Sequence, residues 1–222
     1  MAKSIFVLTN YDLETSYSAA YCQPVIGDAK NRHGEKNNVV VEGSKATQNE
    51  VLSRLKKLKP HFFMFSGHGT SSTLEGHNRV LLMDKTNCAC LKDTIVFTRA
   101  CDALVELGGT AVSKGCVAFI GYAQPFWGVA TDGYASRPLQ DPNAKDIYEN
   151  SNVVSLQILK GTNVQCAVQE AHRDAAKRIL RLLDSSDPTA NSALLALSSN
   201  DQVLTFKGEG QAMLLQSDRF TR

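Results

Sequence analysis

Short, strongly apolar runs alternate with stretches of helical periodicity along most of the chain. Residues 4–9 (SIFVLT) form the first run, closed by Asn10, and 39–42 (VVVE) the second. Residues 61–66 (HFFMFS), 94–98 (TIVFT) and 116–120 (CVAFI) follow, and 79–84 reads as a shorter strand in a hairpin or excursion. Runs this apolar, bounded by Gly, Asn and Pro, predict strands buried on both faces. Between them, Thr47-Gln-Asn-Glu50 has the form of a capping box. Val51, Leu52, Leu55 and Leu58 follow at helical spacing, and Pro60 stops that helix. Further helices are expected over 103–112, weakened by Gly108 and Gly109, and over 144–160 and 163–183. Residues 11–38, with Pro24, Gly27, Gly34 and several Asn, read as mostly loop with a short helix near 16–21. The stretch 193–215 reads as two strand-like runs between polar turns. Strands alternating with helices predict an α/β fold, a three-layer αβα sandwich around a mostly parallel central sheet.

Composition narrows this only a little. Of 222 residues, 43% are hydrophobic, enough for one sizeable core. Residues 1–222 are therefore read as one domain, with 184–222 as a small C-terminal extension starting near Asp184-Ser-Ser-Asp-Pro188. The balance of 24 basic and 22 acidic residues gives no electrostatic case for nucleic acid or an anionic membrane as partner. Arg54, Lys56, Lys57 and Lys59 read as the solvated face of a helix. No run approaches the roughly 18 apolar residues that span a bilayer, and residues 5–8 are too short for a signal peptide. A soluble protein of the cytoplasm is expected. Six cysteines are too sparse for a disulfide scaffold, and Cys88-Ala-Cys90 lacks zinc-site spacing, so they read as reduced thiols without metal. No phosphate-binding or dinucleotide-binding glycine motif is present, and no cofactor is expected.

The candidate chemistry lies at two strand ends. The run 62–65 leads into Gly67-His68-Gly69, and 94–97 leads into Arg99-Ala100-Cys101. Sites of open α/β sheets form at the carboxyl ends of the strands. If these two strands are neighbours, an imidazole and a thiol 33 positions apart emerge at one edge. The imidazole can take the thiol proton and later protonate a leaving amine. The backbone N–H groups of Gly69 and Cys101 are candidate oxyanion donors, and a helix starting just after Cys101 would favour the thiolate. A lone cysteine at a strand end, or a lone histidine between glycines, is ordinarily structural. The ordered pair, each after an apolar strand, carries the signal.

The blocks F-F-M-F-S-G-H-G-T and T-I-V-F-T-R-A-C resemble the paired signatures of the caspase-like cysteine peptidases, which include caspases, metacaspases, legumains, separases, gingipains and bacterial CHAT peptidases. Residues 117–122 and 159–171 resemble later elements of the CHAT and gingipain-like members, so the likeness covers about 1–183. The chain departs from caspases proper, which carry Q-A-C-[RQG]-G with the histidine about 50 residues upstream. The resemblance implies a caspase-like sandwich and a cysteine endopeptidase with a His68–Cys101 dyad acting on protein substrates. It also implies that the residue two before the nucleophile lines the pocket for the P1 side chain. Metacaspases usually have an acid there, and this chain has Arg99. A guanidinium would favour an acidic P1. Two alternatives stay open: Arg99 pairs with Asp102, Asp12 or Asp28, or one of those acids enters the pocket and reverses the preference to Lys or Arg. The loop 121–127 is expected to pair with substrate as an added strand, bringing Tyr122, Gln124 and Trp127 to it. Resemblance to CHAT proteins implies control by a regulatory protein partner, in antiviral defence or programmed cell death, with 11–38 and 135–150 as candidate control loops. The alternative is a catalytically silent caspase-like scaffold.

Overall fold

The apolar runs become strands because a parallel sheet covered on both faces leaves no solvent side to impose polar alternation. In the computed structural model, which describes residues 1–131, 133–187 and 190–214, the chain runs β1 (Ser4–Leu8), α1 (Leu13–His33), β2 (Asn38–Glu42), α2 (Gln48–Leu58) and β3 (Phe62–Ser66). A hairpin, β4 (Thr73–Glu75) and β5 (Leu81–Asp84), then leads to β6 (Ile95–Arg99), α3 (Gly109–Ser113) and β7 (Ala118–Tyr122). The remainder is α4 (Pro142–Leu159), α5 (Val164–Leu183), α6 (Ala190–Val203) and β8 (Leu204–Gly208).

Six strands form one sheet in the order β2-β1-β3-β6-β7-β8, parallel except for β8. Alternate side chains feed two cores. Phe6, Leu8, Phe62, Met64, Ile95 and Phe97 face α1, α4 and α5. Ile5, Val7, Phe63, Phe65 and Val96 face α2, α3 and the hairpin. The fold is a three-layer αβα sandwich. Among the described residues no helix is long and apolar enough to cross a membrane.

Four local expectations are corrected. Residues 11–38 are mostly the 21-residue helix α1, not loop. Asp12 caps it: the Thr15 N–H donates to Asp12 Oδ1 at 2.8 Å, and the Asp12 N–H donates to the Thr15 hydroxyl at 3.2 Å. Pro24 is tolerated because it lies on the exposed face, where solvent serves the carbonyl it leaves unbonded. Between Leu104 and Gly108 the expected α-helix is a single π turn, because the Ser71 carbonyl takes the N–H groups of Glu106 and Leu107 at 3.0 and 2.8 Å. The 193–215 stretch is helix α6 followed by β8, and β8 pairs with β7, so it completes the main sheet. Residue 215 lies outside the described residues, as does Pro188 of the expected boundary. At α2, Thr47 accepts from the Glu50 N–H as expected, but the Glu50 carboxylate pairs with Arg54 instead of reaching back.

Candidate active site

The sheet order reverses beside β1. The chain goes from β1 to β2 on one side, then returns to β3 on the other. Such a switch point leaves a crevice outside the carboxyl ends of the flanking strands. Asp12 follows β1 there, and Gly67-His68-Gly69 follows β3. The neighbouring strand is β6, in parallel register with Ser66 opposite Arg99. His68 and Cys101 therefore stand at equal offsets beyond a paired position, and both line one cavity of about 350 Å³. Glycine is required on both sides of the histidine. A Cβ on Gly67 would lie 2.3 Å from Thr9 Oγ1, and one on Gly69 would lie 2.8 Å from the Thr73 carbonyl and 3.2 Å from Ala100 Cβ.

The imidazole is held by a carboxylate that sequence reasoning did not assign to it. His68 Nε2 lies 2.8 Å from Asp12 Oδ2. Burial pushes the Asp12 carboxyl up, but hydrogen bonds from the Thr15 hydroxyl and N–H and from His68 outweigh it, and the net shift is downward. An ionised carboxylate only accepts, so Nε2 carries the proton and Nδ1 is the basic nitrogen. Arg79 Nη2, 3.4 Å from Nε2, then finds no acceptor there and contributes only charge. Asp12 thus caps α1 with one oxygen and orients His68 with the other. The available signal was Asp12-Leu-Glu-Thr15, an N-cap signature just after a strand.

This divides two roles that a substitution can separate. Asn caps helices about as well as Asp, but its amide does not supply the charge. In Asp12→Asn the cap is kept and only the stability that the ionised carboxylate adds should be lost near neutral pH, a modest fall in the thermal midpoint, while labelling of Cys101 by a peptide electrophile slows on the order of tenfold to a hundredfold. Melting curves and labelling rates check both. The wild type should also lose stability as pH falls through the lowered Asp12 pKa, a contribution fully present above the ordinary carboxylate range.

Cys101 is half-buried and sits just before Asp102, whose φ of 53° is left-handed. The helical segment expected just after Cys101 begins at Leu104 as a π turn and continues as α3, and an irregular turn over 101–103 separates it from the strand. Burial raises the thiol pKa, a Phe126 backbone N–H opposes the rise, Asp102 and Glu14 add to it, and Arg79 opposes it. No hydrogen bond joins the imidazole to the thiol among the described residues. The resting sulfur is a neutral thiol that needs a base. No acceptor is found for the Gly69 or the Cys101 N–H among the described residues; Cys101 lines the cavity, and Gly69 lies outside its lining.

The substrate-side residues separate on inspection. Arg99 lines the cavity yet is only 1% exposed. Its Nε donates to Ser151 Oγ at 2.9 Å, Nη1 to the Ser18 carbonyl at 3.2 Å and hydroxyl at 3.3 Å and to Cys22 Sγ at 3.6 Å, and Nη2 to the Asn152 amide oxygen. The guanidinium carbon lies 5.4 Å from the Tyr148 ring centroid. All of these partners are neutral, and none of Asp102, Asp12 or Asp28 pairs with it. Trp127 lines the cavity at 58% exposure. Tyr122 does not line it: the ring is buried behind Arg99, with its hydroxyl donating to Ser151 Oγ at 2.8 Å. Gln124 is exposed and also outside the lining. Tyr122 and Gln124, two positions apart, thus take different places because β7 carries Tyr122 into the core before the loop leaves the sheet. A larger cavity, about 1220 Å³, opens at the opposite edge of the sheet beside Pro60, Ile95 and Val117, away from His68 and Cys101. Among the described residues no group of three His, Cys, Asp or Glu side chains is disposed to hold a metal.

The class defined by these features is an α/β sandwich with a histidine and a cysteine sharing the carboxyl edge of a parallel sheet. No protein-family model and no curated protein sequence matches the chain. Among solved structures it is similar to one described as "Structure of Protease", with a TM-score of 0.55 and 14% identity, over 94% of this chain and 48% of that one. A likeness at that identity is one of fold, and this chain spans about half the length of that protein.

Proposed function

We propose that the chain is a cysteine endopeptidase of the caspase-like group. The observation that carries the reading is the β3–β6 register, which brings His68 and Cys101 to one cavity at the switch point. His68 Nδ1 removes the Cys101 proton, and the sulfur attacks the scissile carbonyl carbon. The Gly69 and Cys101 N–H groups receive the developing oxyanion. The imidazolium, stabilised by Asp12, returns its proton to the leaving amine as the C–N bond breaks. Water, deprotonated by the same imidazole, then cleaves the thioacyl-enzyme and regenerates the thiol.

Arg99 supports an acidic P1, because among the described residues no carboxylate pairs with its buried charge. Control by a regulatory protein partner belongs to the same reading, since the resting thiol is neutral and not hydrogen-bonded to its base. That resting arrangement also favours a second reading, a silent binding module, in which Cys101 reacts no faster than an ordinary buried thiol. Hydrolysis of a P1-scanned peptide library by the wild type and by Cys101→Ala decides. Cleavage after Asp or Glu, absent in Cys101→Ala, is expected. Cleavage only after Lys or Arg would overturn the specificity, and a library left intact would overturn the peptidase.

A further inference from the structure

The loop 123–131 forms one wall of the cavity through Pro125, Phe126, Trp127 and Gly128. It has no regular structure of its own, so its position depends on ties to its surroundings. Three are present. At one end the Ala123 N–H donates to the Val203 carbonyl at 2.9 Å, and at the other the Thr131 N–H donates to Asp141 Oδ2 at 2.7 Å. Phe126 of the cavity lining also packs on Tyr122 and Tyr148, with ring centroids 4.8 and 5.8 Å apart; among the described hydrogen-bonded ties, the one that reaches the lining is the middle one, at Trp127. There the Trp127 N–H donates to Asn200 Oδ1 at 2.8 Å, and Asn200 Nδ2 donates back to the Trp127 carbonyl at 2.8 Å.

Asn200 is on α6, outside the cavity lining, and only 3% exposed. A buried side-chain amide that engages both the N–H and the C=O of one residue ties the two peptide units that flank that residue, and losing it leaves the Asn200 partners without these bonds. The next residue tightens the same wall: a Cβ on Gly128 would lie 2.3 Å from the Tyr148 hydroxyl. The preceding residue, Phe126, lines the same cavity as Cys101, and its backbone is among the groups that lower the thiol pKa.

We propose that Asn200 is a positioning residue for this site, holding the Trp127 peptide so that the 126–128 wall stays fixed against Cys101. The clamp also occupies the Trp127 backbone, so that peptide is not free to pair with a substrate strand. The proposal rests on the reading of this cavity as the reactive site, but its test needs no turnover.

Alkylation of Cys101 by iodoacetamide, followed against pH by peptide-level mass spectrometry, reads the thiol in wild type, Asn200→Ala and Asn200→Asp. Cys166, a half-buried thiol on α5, is the internal control. In Asn200→Ala the Cys101 midpoint should rise as the 126–128 wall and its lowering effect on the thiol are displaced, with Cys166 unmoved. Emission and acrylamide quenching of Trp127, the single tryptophan, should change in the same variant. Asn200→Asp keeps the acceptor and loses the donor, and should shift the Cys101 midpoint in the same direction; it decides the matter if the alanine variant does not fold. Equal shifts at Cys101 and Cys166 would reduce Asn200 to a general structural residue. Profiles and emission that superimpose on wild type in a folded variant would overturn the proposal. A shifted Cys101 midpoint in a protein that cuts no peptide would retain the clamp and remove only the peptidase.

Discussion

Cys101→Ala should abolish both peptide hydrolysis and covalent labelling at this site, and His68→Ala should lower both by on the order of 10²–10⁴-fold. Both variants should remain folded. The two side chains stand beyond the strands, in an open cavity, and neither fills the core below it. The size of the histidine effect follows from the state of the thiol. Burial, Asp102 and Glu14 together hold the Cys101 pKa above that of a solvent thiol, despite the Phe126 N–H and Arg79. At neutral pH little thiolate forms unaided, so the reaction depends on a base. Labelling in His68→Ala should therefore recover as pH rises through the raised thiol pKa, because hydroxide then does what the imidazole no longer can. In the wild type the rate should level off at lower pH. A peptide-based thiol electrophile, quantified by intact mass, measures all three proteins. Undiminished labelling of Cys101→Ala would mean that another of the six cysteines is the reactive one.

The parts of the site that were legible are those written in consecutive residues. The five parallel strands announced themselves by apolar runs, and each reactive residue follows its strand closely, so the convergence of His68 and Cys101 needed only that β3 and β6 be neighbours. Helices α4 and α5 were also readable. In α5, Ala167, Val168, Ala171 and Ala175 line one buried stripe against a polar remainder. By contrast, α1 buries Thr15 and Ser18 along with Tyr17, Cys22 and Val25, so its buried surface has no apolar period to detect. With α1 unread, Asp12 could not be seen as its cap, and the partner of His68 was lost with it. The Asn200–Trp127 clamp joins residues 73 positions apart, and no local pattern predicts such a pair. Tyr122 was misplaced for a related reason: nothing local marks where β7 stops and the loop begins, and Tyr122 falls on the strand side.

Arg99→Met should fold with a Tm within a few degrees of wild type, yet lose about 10²–10³-fold in cleavage after acidic residues. The stability expectation comes from weighing two terms. Removing the guanidinium leaves the Asn152 amide oxygen without its donor, at about 1–3 kcal/mol. The other acceptors keep partners, since Ser151 Oγ still receives the Tyr122 hydroxyl and Ser18 Oγ still pairs with Ser66. Against this, a buried charge with no counter-ion is itself a burden of several kcal/mol, relieved when an apolar chain of similar length replaces it. The terms nearly offset. The specificity expectation comes from the same missing counter-ion. A carboxylate brought within about 4 Å of the guanidinium at an effective dielectric near 20 gains roughly 4 kcal/mol, or about three powers of ten. Glu14 does not cancel this, because its carboxylate is 77% exposed, where water screens its charge. Arg99→Lys separates charge from shape: it should keep part of the acidic preference while losing the planar fork that reaches Ser151, Ser18 and Asn152 at once. If Arg99→Met instead melts far below wild type and its P1 profile is unchanged, Arg99 is a tie between β6, α1 and α4, and the acidic side chain has no pocket here.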